Sequence, residues 1–139
     1  MVRVENLEAK LASLRRTLAL VRTFRGRAMD EIRADAYLRG ALERYLFLAV
    51  QGAIDLAEML CSLKGYGRAE SMTQGFALLE AAGVIPGELA ASLRQMVGLR
   101  NALVQGYEHL NYAIVEDALR VRVEDIEEFA RLVDLTLTA

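Results

Sequence analysis

Apolar residues recur at steps of three and four along nearly the whole chain, and this is the pattern of helices. Leu7, Leu11, Leu14, Leu18 and Val21 mark one face of a first helix from about Glu5 to Phe24, which Gly26 breaks. A long second helix is expected from about Asp30 to Leu63, closed by "KGYGRAES" with its two glycines. Ser71 or Thr73 can cap a short third helix through Ala82, and Gly83 ends it. Pro86 stands where a first-turn proline belongs, with Glu88 close behind, and opens a fourth helix reaching about Val104. Asn111 can cap a short fifth helix, and a sixth is expected from about Val123 to Leu137. There is no repeat, low-complexity run or linker. The expectation is a single domain over 1–139, all-α, an up-and-down helical bundle.

The second helix carries two apolar stripes. One is Leu42, Leu46, Ala49, Ala53, Leu56, Leu60 and Leu63; the other is Phe47, Val50, Ile54, Ala57 and Cys61. Arg44, Gln51, Asp55, Glu58 and Ser62 share one narrow polar arc. A surface helix needs only one apolar stripe. Two stripes predict burial on two sides, and a second copy of so small a chain is the simplest second partner. The expectation is a twofold homodimer with this helix near the interface. A central helix wrapped by its own chain explains the same pattern.

Composition narrows the classes. The chain is 54% hydrophobic with a mean hydropathy of +0.21, yet no run of about 18 uncharged apolar residues predicts a membrane span. The start, "MVRVENLEAKLASLRR", is amphipathic and acid-containing, unlike a signal peptide, so a cytoplasmic location is expected. The single cysteine, Cys61, excludes an internal disulfide and a cysteine-cluster zinc site and reads as a buried small apolar residue. Neither a metal site nor a cofactor is expected. Residues 1–70 carry 12 basic and 9 acidic side chains, a net of +3, and residues 71–139 carry 5 and 10, a net of −5. With a whole-chain charge of −2, any RNA contact must be local, through a basic groove.

One cation breaks the apolar pattern. The fourth helix shows Leu89, Leu93, Met96 and Leu103, and Arg100 falls on the same face. Burying arginine is costly unless it is paired or waits for an anion. A carboxylate such as Asp55 or Glu58 would supply the pair in a purely structural bundle. The residues that follow favour the anion.

The segment "RNALVQGYEHLNYAIVEDAL" resembles the HepT toxin family of the HEPN superfamily. That family carries Arg-x4-His-x-Tyr, usually with Asn after the Arg; Arg100, Asn101 and Tyr107 match, and Gly106 fits. The resemblance extends to "RYLFLAVQGAIDLAEML" and to "GFALLEAAGVIPGELAASLRQMVGLRN", covering about residues 38 to 139. It implies a homodimeric bundle with a composite, metal-independent endoribonuclease site in the cleft between subunits. It also implies a toxin–antitoxin pair, in which an MntA-like minimal nucleotidyltransferase antitoxin silences the toxin by transferring AMP to the motif tyrosine. Tyr107 holds that position; Tyr112 does not have the motif spacing.

The chain departs from the family at the histidine, where it has Gln105. Arginine suits a phosphate because its planar fork donates two hydrogen bonds and keeps its charge. Histidine suits the proton steps because it titrates near neutrality. Glutamine donates and accepts hydrogen bonds but does not titrate. Three readings stand side by side: a natural variant whose nuclease is weak or lost, leaving a binding partner of a nucleotidyltransferase; an engineered substitution that disarms a toxic protein; or another group in the proton role. His109, the only histidine, lies four residues on and would share a face with Gln105 in a continuous helix.

Overall fold

The computed structural model describes residues 2–106 and 110–139. Among them the chain forms α1 (Val4–Arg22), α2 (Met29–Ala34), α3 (Ala36–Lys64), α4 (Gln74–Ala81), α5 (Gly87–Gln105), α6 (Tyr112–Asp117), a five-residue π-helical stretch (Ala118–Arg122) and α7 (Val123–Thr138), with no strand. The all-α expectation holds.

The long helix expected from Asp30 is broken at Asp35. This residue leaves helical geometry (φ −110°, ψ 113°), and its carboxylate accepts from the backbone N–H of Tyr37 and Leu38 at 2.9 and 3.1 Å. A short acidic side chain that satisfies orphan donors makes a helix start there more favourable than continuation. At the other end Gly65 takes the left-handed conformation (φ 72°), and the Tyr66 N–H reaches back to the Cys61 carbonyl at 2.9 Å.

Other expected ends stand with small shifts. The Gln74 N–H bonds Ser71 Oγ at 3.2 Å, and Asn111 Oδ1 accepts from the Ala113 N–H at 2.9 Å. Pro86 is the cap of α5 and not its first turn, one residue earlier than expected. The expected break between the fifth and sixth helices is absent. The π-helical stretch joins them and sends Ala118, Leu119 and Val123 into the core, while Arg25 Nε donates to the Leu119 carbonyl at 3.0 Å.

α3 is the axis of the bundle. α1 lies along it with Leu7, Leu11, Leu14, Leu18 and Val21 buried, and α4, α5 and α7 close the other sides. Gly75 lets α4 approach α3 closely: a Cβ there would stand 3.1 Å from the Ala57 Cβ. Of the second stripe, Val50, Ile54, Ala57 and Cys61 are buried within the same chain. This corrects the two-stripe argument for a dimer: the chain's own helices wrap the central one, so the stripe demands no second copy. By length and composition α3 could cross a membrane, but 56% of its most apolar window is already buried in the bundle. Cys61 Sγ contacts the Gly75 carbonyl at 3.6 Å, and burial pushes its thiol up, as fits an inert core residue.

What α3 leaves open is the arc holding Tyr37, Gly40, Arg44 and Leu48, with Phe47 and Gln51 half-buried at its edge. Tyr37 is 90% exposed and Val104, across on α5, is 54% exposed.

Candidate anion site at the end of α5

α5 carries Arg100 in its last turns because Leu93, Met96, Leu99 and Leu103 anchor the helix in the core. The guanidinium itself sits half-buried between α5 and α3. Its Nε donates to Gln51 Oε1 at 2.8 Å and its Nη1 to Asn101 Oδ1 at 3.0 Å. Gln51 Nε2 in turn donates to Asp55 Oδ1 at 2.8 Å, and Asp55 pairs with Lys10 at 3.0 Å. The carboxylate candidates for Arg100 are therefore not its partners. Asp55 is one amide removed and is neutralised by Lys10, and among the described residues no carboxylate pairs with Arg100.

This arrangement has a chemical consequence. Two neutral amide oxygens orient the guanidinium without cancelling its charge, so most of its electrostatic field remains for an incoming anion. Asn101, next to Arg100 in the motif, holds Nη1 and so fixes the plane of the fork. Phe47 lies against the same group, with the Arg100 Cζ 5.5 Å from the ring centroid and the Arg44 Cζ at 5.3 Å. Gly40, Glu43, Arg44, Phe47, Leu103 and Val104 line an open groove of about 380 Å³ beside them.

Gln105 is the last residue of α5 and is exposed. Gly106 follows in the left-handed conformation (φ 66°), closing the helix with its N–H on the Leu103 carbonyl. α5 therefore ends at Gln105. Tyr107 and His109 themselves lie outside the described residues.

Tyr112 is a different kind of tyrosine. It is 7% exposed, its hydroxyl donates to Glu43 Oε2, and Arg39 and Arg33 stand 4.8 and 5.5 Å from its ring centroid. Burial and then the bond to Glu43 push its phenol well above the usual tyrosine range. It ties α6 to α3 as a structural anchor and offers no accessible nucleophile. Tyr112→Phe should destabilise the fold by about 1–3 kcal/mol, since Glu43 loses a donor at a half-buried position; chemical denaturation of the two proteins measures it, and an unchanged midpoint would refute the anchoring role.

The sequence pattern places Arg44 and Gln51 in a solvated arc and Phe47 in an apolar stripe. Their spacing of three and four signals that they share one edge of α3, but not that α5 brings Arg100 to it. Among the described residues no three His, Cys, Asp or Glu side chains converge as a metal site would require.

The fold and site define an all-α domain that presents an oriented arginine, without a carboxylate partner among the described residues, beside a half-buried aromatic ring, an arrangement suited to a phosphate-bearing ligand. The chain belongs to the ribonuclease HepT-like family, whose sequence model matches residues 14–133. It is 28% identical over 120 residues to the mRNA nuclease HepT of Shewanella oneidensis, spanning 86% of this chain and 90% of that protein. Its fold superposes with a TM-score of 0.85 on a chain from the crystal structure of a toxin–antitoxin with AMP-PNP, at 26% identity, covering 93% of this chain and 97% of that one. A TM-score of 0.84, again at 26% identity and covering 93% and 96%, relates it to a chain of a tri-AMPylated Shewanella oneidensis HEPN toxin in complex with MNT antitoxin.

Proposed function

We propose that this chain is the toxin component of a toxin–antitoxin system, built on the HepT-like endoribonuclease fold, with Arg100 as phosphate clamp and Asn101 as its positioning residue. The observation that carries this is the guanidinium of Arg100, held only by the amide oxygens of Gln51 and Asn101 among the described residues. Gln105 occupies the position of the motif histidine and leaves the proton steps unserved. The antitoxin is an MntA-like nucleotidyltransferase, and Tyr107 accepts AMP: the tyrosine oxygen attacks the α-phosphate of ATP, loses its proton, and pyrophosphate leaves. The added negative charge then occupies the field of Arg100 and excludes RNA phosphate. The location in this reading is the cytoplasm.

The test is mass spectrometry after incubation with ATP and a nucleotidyltransferase of this type. The wild-type chain and Tyr112→Phe should both gain AMP, and Tyr107→Phe should lose the modification at that position. Undiminished modification of Tyr107→Phe would overturn the assignment.

The homodimer enters here through the family resemblance, with the RNA cleft between subunits. Tyr37 and Leu48, exposed on α3, give it apolar surface to use. Light scattering should give roughly twice the 15.4 kDa chain mass at micromolar concentration; a monomer mass would refute it.

A second reading is favoured by Gln105 specifically: a catalytically inactive nucleotidyltransferase substrate-binding or partner subunit, which keeps Arg100 and Tyr107 and has given up the nuclease.

A further inference from the structure

Most arginines that this bundle uses between helices are matched to acids. Arg15 pairs with Asp134, Arg22 with Glu124 and Glu127, and Arg94 with Glu80. Arg44 and Arg100 come from different helices and close on one ring. Among the described residues neither takes a carboxylate, and the Phe47 ring centroid lies within 5.5 Å of both guanidinium carbons. Two cations against one half-buried phenyl ring repel each other unless an anion joins them. The ring opens onto the groove of about 380 Å³, a volume in the range of small-ligand sites of about 300–1,000 Å³.

The groove and the arginine beside it differ in chemistry. Glu43 on its wall is already bonded through Oε2 to Arg39 and Tyr112, while Arg100, outside the lining but against the same Phe47 ring, attracts a phosphate. Leu103 and Val104 supply apolar surface, and a Cβ at Gly40 would meet nothing within 4 Å, so that side is open space. A ligand with a flat ring for the Phe47 face and a phosphate for the neighbouring arginines matches this surface.

We propose that Phe47 is the stacking platform for a nucleobase of single-stranded RNA, the base belonging to the nucleotide whose phosphate Arg100 holds. Arg44, exposed and resting on the ring face, yields that face to the base and moves its charge to the neighbouring phosphate. Stacking on an aromatic ring tolerates any base because every base has a π-face, and arginine planes add to it. The subsite rests on the RNA reading above, and it assigns Phe47 and Arg44 as binding residues outside the Arg100–Tyr107 motif.

The experiment compares two fluorescein-labelled oligomers of equal length by anisotropy. One is single-stranded 2′-O-methyl RNA, which cannot be cut through its 2′-oxygen; the other has the same backbone with abasic central nucleotides. Phe47→Leu should weaken the base-bearing oligomer about tenfold and leave the abasic one within about twofold, and Phe47→Trp should restore the loss. Arg100→Ala should weaken both oligomers. Arg44→Gln, an exposed change, should lower the slope of log affinity against log salt by about 0.7.

Equal weakening of both oligomers by Phe47→Leu, or of neither, would overturn the stacking site while leaving the clamp intact. Binding of both oligomers unchanged by Arg100→Ala would overturn the clamp itself, whatever Phe47 does. Failure of the wild-type chain to bind either oligomer would end both readings.

Discussion

Gln105→His is expected to raise RNA cleavage without added metal by about 10²–10⁴, the range a positioned general acid or base contributes. The substitution sits at the exposed last residue of α5, before Gly106 ends the helix, so it leaves the core untouched. Surface changes of this kind move stability by about 0.5 kcal/mol or less. What it adds is a group that titrates near neutrality, five residues after a guanidinium already oriented by Gln51 and Asn101. The measurement is cleavage of a labelled RNA by the two proteins side by side. Cleavage by the histidine version alone would mark the chain as a disarmed copy of a HepT-like nuclease. Cleavage by both would refute the expected gain and make His109→Ala the next variant. Cleavage by neither would favour the partner-subunit reading, with Tyr107 as the residue that matters.

Phe129→Ala should cost about 3–5 kcal/mol of folding stability, the range for truncating a buried phenylalanine. Phe129 of α7 and Phe76 of α4 are both fully buried, and their rings meet edge to face, 5.5 Å between centroids at 77°. They join two helices that both pack on α3 and lie far apart in sequence. Removing either ring opens a cavity between elements that cannot close without moving a helix. Beyond the area lost, such a pair is worth about 0.5–1.5 kcal/mol, so the double substitution should cost less than the sum of the single ones by about that amount. Urea denaturation of the four proteins gives the cycle; strict additivity would show that the rings share a core without acting as a pair.

Much of this is legible in the amino-acid sequence alone. The helix faces of α1, α3 and α5 follow from steps of three and four, because side-chain burial on a helix repeats with its turn. The ends at Gly65, Gly83 and Gly106 follow from backbone conformations that favour glycine, each with positive φ. Arg100 stands out as an anomaly on an apolar face, and the Arg-Asn…Gly-Tyr spacing points to the family to which the chain belongs. The cap at Asp35 is readable in the same way, since an acid before an apolar run is a start signal even inside a helical pattern. The continuous periodicity on both sides of Asp35 hides it, because a helix that restarts in line keeps its apolar steps.

What the tertiary structure decides is which groups meet. Two apolar stripes on α3 are consistent with a partner chain or with the chain's own helices, since periodicity records that a face is buried and not by what; the bundle shows its own helices covering both except at half-buried Phe47 and Leu63. A cation on a helix says that it needs a counterpart, not whether the counterpart is an acid or an amide. Only the packing of α5 and α1 on α3 puts Gln51 against Arg100, gives Asp55 to Lys10, and brings Arg100 to the ring that Arg44 already touches. Local sequence determines helices because their hydrogen bonds close within a turn. The site depends on contacts between residues 49 positions apart, as Gln51 and Arg100 are, whose partners are chosen by the docking of whole helices.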